Sequence, residues 1–328
     1  MRTVRLKNKK KVANKVAEIV GCTADEVAIT RNTTESLDLI IGGMQWNAGD
    51  EAVMAEQDYG AMVNHFKFVA NRFGTVNKFV SVPNHPKDDQ EIVDLYASAI
   101  TDKTRLLMVC HMINITGQVL PIRKIADMAH ARGVEVVVDG AHAYSHIDFN
   151  MKDLDCDYYG TSLHKWLSAP LGSGTLYAKK EKIDSVWPLL AAGELEPNDI
   201  GRLNHTGTHP AHVDLAILDA IEYQNAIGLR RKEARLKYLQ HYWTSQLRGL
   251  PRVVINTPVE MERHGGIGNV GIEDIEPAEL AKRLMQEYRI FTVAINRPGV
   301  RGLRITPNIY TTLAELDSLV HAIKELSA

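Results

Sequence analysis

The stretch Val134-Glu135-Val136-Val137-Val138-Asp139-Gly140-Ala141-His142 decides how the chain is read. Its apolar run does not alternate with polar residues, as expected of a strand buried on both faces of a parallel sheet. An acidic residue follows where that strand ends. Ligand sites of open α/β sheets lie outside the carboxyl ends of the strands. Taken alone, Asp139 is equally a loop residue capping the next element. Similar short apolar runs recur on both sides: Val27-Ala28-Ile29, Ala52-Val53-Met54, Lys78-Phe79-Val80, Leu106-Leu107-Met108-Val109 and Gly174-Thr175-Leu176-Tyr177. Between them the spacing predicts helices over residues 91–99 and 122–132, the second ended by Gly133. Strands alternating with helices predict an α/β fold.

After residue 208 the texture changes. Residues 211–247 read as one long helix or two joined near Gly228, followed by apolar runs at Val253-Val254-Ile255 and Asn269-Val270-Gly271-Ile272. A helix over 278–288, runs over 291–295 and 301–306, and a closing helix over 312–326 complete an α+β unit. The expected division is therefore a large domain over 1–208 and a small one over 209–328.

Composition narrows the function. The chain has 328 residues, 45% of them hydrophobic and 24% charged, as in ordinary globular proteins. A net charge of -2 gives no electrostatic reason to expect nucleic acid or membrane partners. The basic run Lys7, Lys9, Lys10 and Lys11 reads as the solvated first turn of a helix. No apolar stretch is long enough to span a bilayer, and Met1 to Lys11 lacks the apolar segment of a signal peptide. The three cysteines, Cys22, Cys110 and Cys156, have neither metal-site spacing nor a disulfide framework. Cys110 lies in an apolar run and reads as core. A cytoplasmic location is expected.

The second informative stretch is Thr161-Ser162-Leu163-His164-Lys165-Trp166, with Pro170 and Gly172-Ser173-Gly174 behind it. A lone lysine is ordinarily a surface residue. Paired with Asp139, it points to pyridoxal 5'-phosphate (PLP), which needs a lysine for its Schiff base and a carboxylate for its pyridinium nitrogen. The carboxylate keeps the ring nitrogen protonated and electron-accepting. The lysine must be neutral to attack, and desolvation favours that. A phosphate would need a cradle, and Thr30-Arg31-Asn32-Thr33-Thr34-Glu35 supplies the start of a helix with two hydroxyls. The same turn also reads as a simple N-cap with a nearby glutamate.

Together these residues resemble the class V aminotransferases of fold-type I, a family that includes cysteine desulfurases, kynureninases and isopenicillin N epimerase-like proteins. The resemblance runs from about residue 17 to the C-terminus. Its most specific blocks are Val138-Asp139-Gly140-Ala141-His142-Ala143, His164-Lys165-Trp166-Leu167 and Pro170-Leu171-Gly172-Ser173-Gly174. The His-Lys-Trp-Leu form and His142 are most similar to the epimerase-like branch, since desulfurases usually carry Gln at that second position. The fold implied is a large domain with a mostly parallel central sheet flanked by helices, plus a smaller C-terminal α+β domain.

The resemblance also implies roles. Lys165 would carry PLP and act as the catalytic base. Thr33, Thr34, Ser162 and His164 would bind its phosphate, and Tyr59 would stack on the ring. Asn114 and His142 would approach the ring oxygen, and Asp139 the ring nitrogen. Thr208 would reach the phosphate of a partner subunit, making the enzyme a homodimer with shared sites. Arg304 would grip the carboxylate of an amino-acid substrate, a task suited to its planar fork. His205, His209, Asn296 and Arg297 are added as pocket residues without a spacing argument.

Two departures qualify this. No cysteine follows Cys156, which speaks against the persulfide chemistry of the desulfurases. Relatives also begin with several dozen further residues that form part of the substrate pocket, whereas here the chain enters at the helix before the phosphate turn. The activity expected is that of an aminotransferase or an epimerase-like enzyme at the α-carbon. A C–S or related lyase is the alternative, and a non-catalytic scaffold is the alternative of another class.

Overall fold

The apolar runs assemble into one seven-stranded sheet. The structure, a computed structural model, describes residues 2–191, 193–208 and 210–328, without the side chains of residues 2–8. The chain opens on helix α1 (Arg2–Val20), in which Lys10 and Lys11 are exposed. Then come β1 (Val27–Thr30), α2 (Thr33–Gly43), β2 (Glu51–Ala55), α3 (Gly60–Phe73), β3 (Val76–Val80), α4 (Asp89–Ala99) and β4 (Thr104–Cys110). The large unit continues with α5 (Ile122–His130), β5 (Glu135–Asp139), α6 (Met151–Leu154), β6 (Tyr158–Ser162) and β7 (Gly174–Ala178). Strand order is β1-β7-β6-β5-β4-β2-β3. Neighbours from β6 through to β3 are parallel, while β7 runs antiparallel to both β6 and β1.

The centre of this sheet is buried on both faces. Val136, Val137 and Val138 of β5 are completely covered. Val136 and Val138 join the core on one side, with Val16 of α1 and Ile125 of α5. Val137 joins the other, with Leu37 and Ile40 of α2. Each such side chain contributes about 1.5–3 kcal/mol on burial, which is why the run needs no polar alternation.

Strand β6 is not apparent in the sequence. Tyr158-Tyr159-Gly160-Thr161-Ser162 mixes a glycine and two hydroxyls into a strand whose five residues are all buried. Tertiary pairing with β5 and β7 overrides its weak local preference.

Of the two readings of residues 211–247, one helix or two joined near Gly228, the structure has the second, α7 (Ala211–Ile227) and α8 (Leu229–Ser245). Gly228 between them has φ +85, a conformation that ends a helix and that glycine reaches without a steric penalty. Ile217 and Ile221 of α7 pack in the same core as Val16 of α1. A four-stranded antiparallel sheet follows, in the order β10-β11-β9-β8. It is made of β8 (Val253–Ile255), β9 (Gly268–Ile272), β10 (Val293–Arg297) and β11 (Val300–Ile305) and is covered by α9 (Pro277–Tyr288) and α10 (Leu313–Ser327).

A buried polar seam ties the two sheets together. Asn269 of β9 donates from Nδ2 to the Ile115 carbonyl at 3.1 Å, and Thr257 donates from Oγ1 to the Thr116 carbonyl at 2.7 Å. Asn269 pairs in register with Arg304, so the seam sets where Arg304 stands relative to the large sheet. Among the described residues no helix is long and apolar enough to cross a membrane.

Candidate active site

The carboxyl ends of β4, β5 and β6 and the start of α2 surround a cavity of about 530 Å³. Cys110 and Asp139 stand opposite each other at the ends of β4 and β5, and both line it. Asp139 is 5% exposed. Its Oδ1 accepts the Ala141 N–H at 2.9 Å. Burial raises the pKa of its carboxyl, opposed by that hydrogen bond and by the Lys165 charge. The chain can turn here only with glycine next in sequence, because a Cβ at Gly140 would lie 1.9 Å from the Tyr159 ring.

Asp58 is a second buried carboxyl close by. It accepts the Ala55 N–H at 2.8 Å. Burial nevertheless pushes its pKa up to about 7, and the nearby Asp139 charge adds to the rise.

Another part of the cavity lining is built from hydroxyls. Thr33 donates its backbone N–H to Ser162 Oγ at 2.9 Å, and the two hydroxyl oxygens lie 2.7 Å apart. Thr33 and Thr34, in the first turn of α2, and Ser162, at the end of β6, all line the cavity. Asn32 caps that turn by accepting the Glu35 N–H at 2.9 Å. Helix N-termini carry free N–H groups and positive potential, so this part of the lining suits an anion. His164 lies beside it, its Nδ1 3.3 Å from the Ser173 carbonyl, and burial lowers its pKa.

Lys165 lines the same cavity. Its Nζ lies 3.2 Å from His142 Nε2, and Trp166 donates from Nε1 to His142 Nδ1 at 3.2 Å. Burial lowers the Lys165 pKa, opposed by Asp139 and assisted by the Arg304 charge. Burial also takes His142 well below its ordinary value, with the Lys165 and Arg304 charges adding to the drop. Arg304 reaches the cavity from β11, and its buried Nε has no hydrogen-bond partner among the described residues.

Ten of the eleven expected site residues thus line one cavity: Thr33, Thr34, Tyr59, Asn114, Asp139, His142, Ser162, His164, Lys165 and Arg304. Thr208 is exposed and does not line the cavity of its own chain. His205 is likewise exposed and outside it. Asn296 and Arg297 line a different cavity, of about 580 Å³, on the small sheet. His209 lies outside the described residues.

Asn32, Met62, Cys110, Met112 and Ala141 also line the site and were not expected there. Cys110 carried the same signal as Asp139, a strand end beside its neighbour. Its apolar surroundings favoured a core reading, and it is in fact buried as well. Hydroxyls at a helix start, a buried carboxyl and an amine in one cavity fit a ligand with a phosphate, a ring nitrogen and a carbonyl.

The family model described as aminotransferase class-V matches residues 5–303. Isopenicillin N epimerase of Streptomyces clavuligerus is 29% identical over 95% of this chain and 83% of its own length. Cysteine desulfurase of Haloferax volcanii is 28% identical over 94% of this chain and 77% of its own. Among solved structures, the cystine C–S lyase C-DES in complex with cysteine persulfide superposes with a TM-score of 0.88 at 21% identity. That match covers 98% of this chain and 87% of the other, and likeness at this level shows the fold. Desulfurases stand among the relatives, so kinship does not support the expectation against that activity. What remains behind it is the absence of cysteine after Cys156.

Proposed function

Because the chain belongs to the aminotransferase class-V family, whose cofactor is PLP, we propose that it is an enzyme acting at the α-carbon of an amino acid, as an aminotransferase or an epimerase-like enzyme. One observation carries the reading. The Lys165 amine, the buried Asp139 carboxyl and the Thr33–Ser162 hydroxyl pair come from separate stretches of chain and line one cavity.

When bound, PLP supplies an electron sink for the pair left at the α-carbon. Lys165 would be its attachment point, and the Nζ of Lys165 takes and returns the α-proton. The lowered pKa of that amine keeps more of it in the neutral, basic form. Asp139 would partner the ring nitrogen. Thr33, Thr34, Ser162 and His164 would hold the phosphate, Tyr59 would cover the ring, and Asn114 and His142 would hold its oxygen. Arg304 binds the substrate carboxylate, and its unpartnered Nε supports this role. A buried guanidinium N–H left without an acceptor is costly unless a ligand completes it.

C–S or related lyase chemistry is the second reading, favoured by the cysteine desulfurases among the relatives. The scaffold reading has no such support. Thr208 and the exposed Leu171, Trp187 and Leu189 suit a homodimer, which light scattering of the purified chain tests. Three unpaired cysteines suit a reducing cytoplasm.

The test is to load the protein with PLP, reduce it with borohydride and map the modified peptide. Modification of Lys165 is the expected result, and a protein that takes up no PLP overturns the proposal. Offering D- and L-amino acids, with and without 2-oxo acids, then separates the reactions. Inversion means epimerisation, a dependence on 2-oxo acid means transamination, and release of sulfide or persulfide means the lyase.

A further inference from the structure

Lys232 of α8 is 2% exposed and takes no part in the chemistry above. It donates to the Trp166 carbonyl, and to Gln224 Oε1 at 2.8 Å. Gln224 of α7 in turn donates from Nε2 to the Leu167 carbonyl at 3.3 Å. The carbonyls of both residues after Lys165 are therefore gripped by side chains from two helices. A buried lysine is expensive to maintain, so its place under this segment calls for a reason.

The clamp seats Trp166. Its ring packs on His146 with centroids 3.8 Å apart, it is 4% exposed, and its Nε1–H meets His142 Nδ1 at 3.2 Å. An indole N–H can only donate. His142 Nδ1 must therefore accept, and in a neutral imidazole the single proton then sits on Nε2. That nitrogen faces Lys165 Nζ at 3.2 Å. The other tautomer would set two N–H groups head to head and strand a buried donor, which disfavours it about tenfold or more where the Lys165 amine is neutral and accepts from Nε2. Burial opposes double protonation of His142, and charge on Lys165, Arg304 and His146 adds to that opposition.

We infer that Trp166, seated by Lys232 and Gln224, is a positioning residue that locks His142 in the Nε2–H tautomer. His142 then donates into the cavity and cannot accept a hydrogen bond from a charged Lys165. The use of the lock rests on the proposed function, in which His142 serves an anionic ring oxygen that needs a donor. The lock itself does not depend on it.

The test is a long-range proton–nitrogen correlation spectrum of the full chain with ¹⁵N-labelled histidine, recorded before and after adding PLP. A His142→Gln variant identifies the signal. In the cofactor-free protein, a protonated Nε2 and a bare Nδ1 are expected. The reverse pattern or a doubly protonated ring overturns the inference. Trp166→Phe should raise the Nδ1–H form relative to the Nε2–H form about tenfold, and an unchanged ratio overturns it. Should that variant not fold, Lys232→Met loosens the seat without touching the cavity. It should move the ratio in the same direction, and no movement overturns the inference. Failure of Lys165 to take up PLP would sink the proposed function and leave the tautomer result standing.

Discussion

The hydroxyl of Thr33 lies 2.7 Å from that of Ser162, across 129 residues of chain. The pair joins the first turn of α2 to the carboxyl end of β6, and neither residue alone marks a site. Hydrogen bonds to a charged group contribute about 1.5–3 kcal/mol each. Thr33→Val and Ser162→Ala should therefore each weaken PLP binding about ten- to hundredfold, read by titrating the visible absorbance. Unchanged affinity in both would place the phosphate elsewhere.

Lys165→Ala should abolish borohydride-fixed PLP. It should also slow exchange of the substrate α-proton by about 10²–10⁴-fold, the usual contribution of a positioned base. Loss of deuterium from an α-labelled amino acid measures it. Exchange at the original rate would assign the base to another group.

Arg304→Lys keeps the charge and loses the fork. KM for the amino acid should rise about ten- to hundredfold while PLP content stays constant, because a bidentate contact becomes a point charge. A fall in PLP content with unchanged KM would move Arg304 from substrate to cofactor.

Asp58 gives a pH dependence whose sign can be worked out. Its folded pKa is raised to about 7, against about 4 in an unfolded chain. Below about pH 4 both states hold the proton and the group is neutral in its effect. From about pH 4 to 7 the unfolded chain releases a proton that the folded one keeps, so stability falls as pH rises. Above about 7 the full cost of the buried charge is present. Asp58→Asn removes this dependence, so the variant should gain on the wild type as pH rises through that window. Urea midpoints at several pH values measure the difference, and a constant difference would mean that Asp58 is ionised throughout.

Local pattern was enough for much of the large sheet. The run over 134–138 was legible as a strand because burial on both faces leaves an unbroken apolar signal, and Asp139 was legible because it ends that run. Residues 158–162 were not legible, since Gly160, Thr161 and Ser162 dilute the strand signal, although this strand presents Ser162. The joint at Gly228 was read as a choice between one helix and two. Its positive φ decides for two.

By itself, the sequence determined which residue types were available and in which elements they stood: a lysine, a carboxylate at a strand end, and hydroxyls at a helix start. Periodicity and capping encode such local facts. Only the tertiary structure decided that these groups share one cavity, that Arg304 Nε lacks a partner among the described residues, and that Trp166 meets His142 Nδ1. Those relations join residues far apart in the chain. Packing between strands and helices sets them, and no local pattern records it.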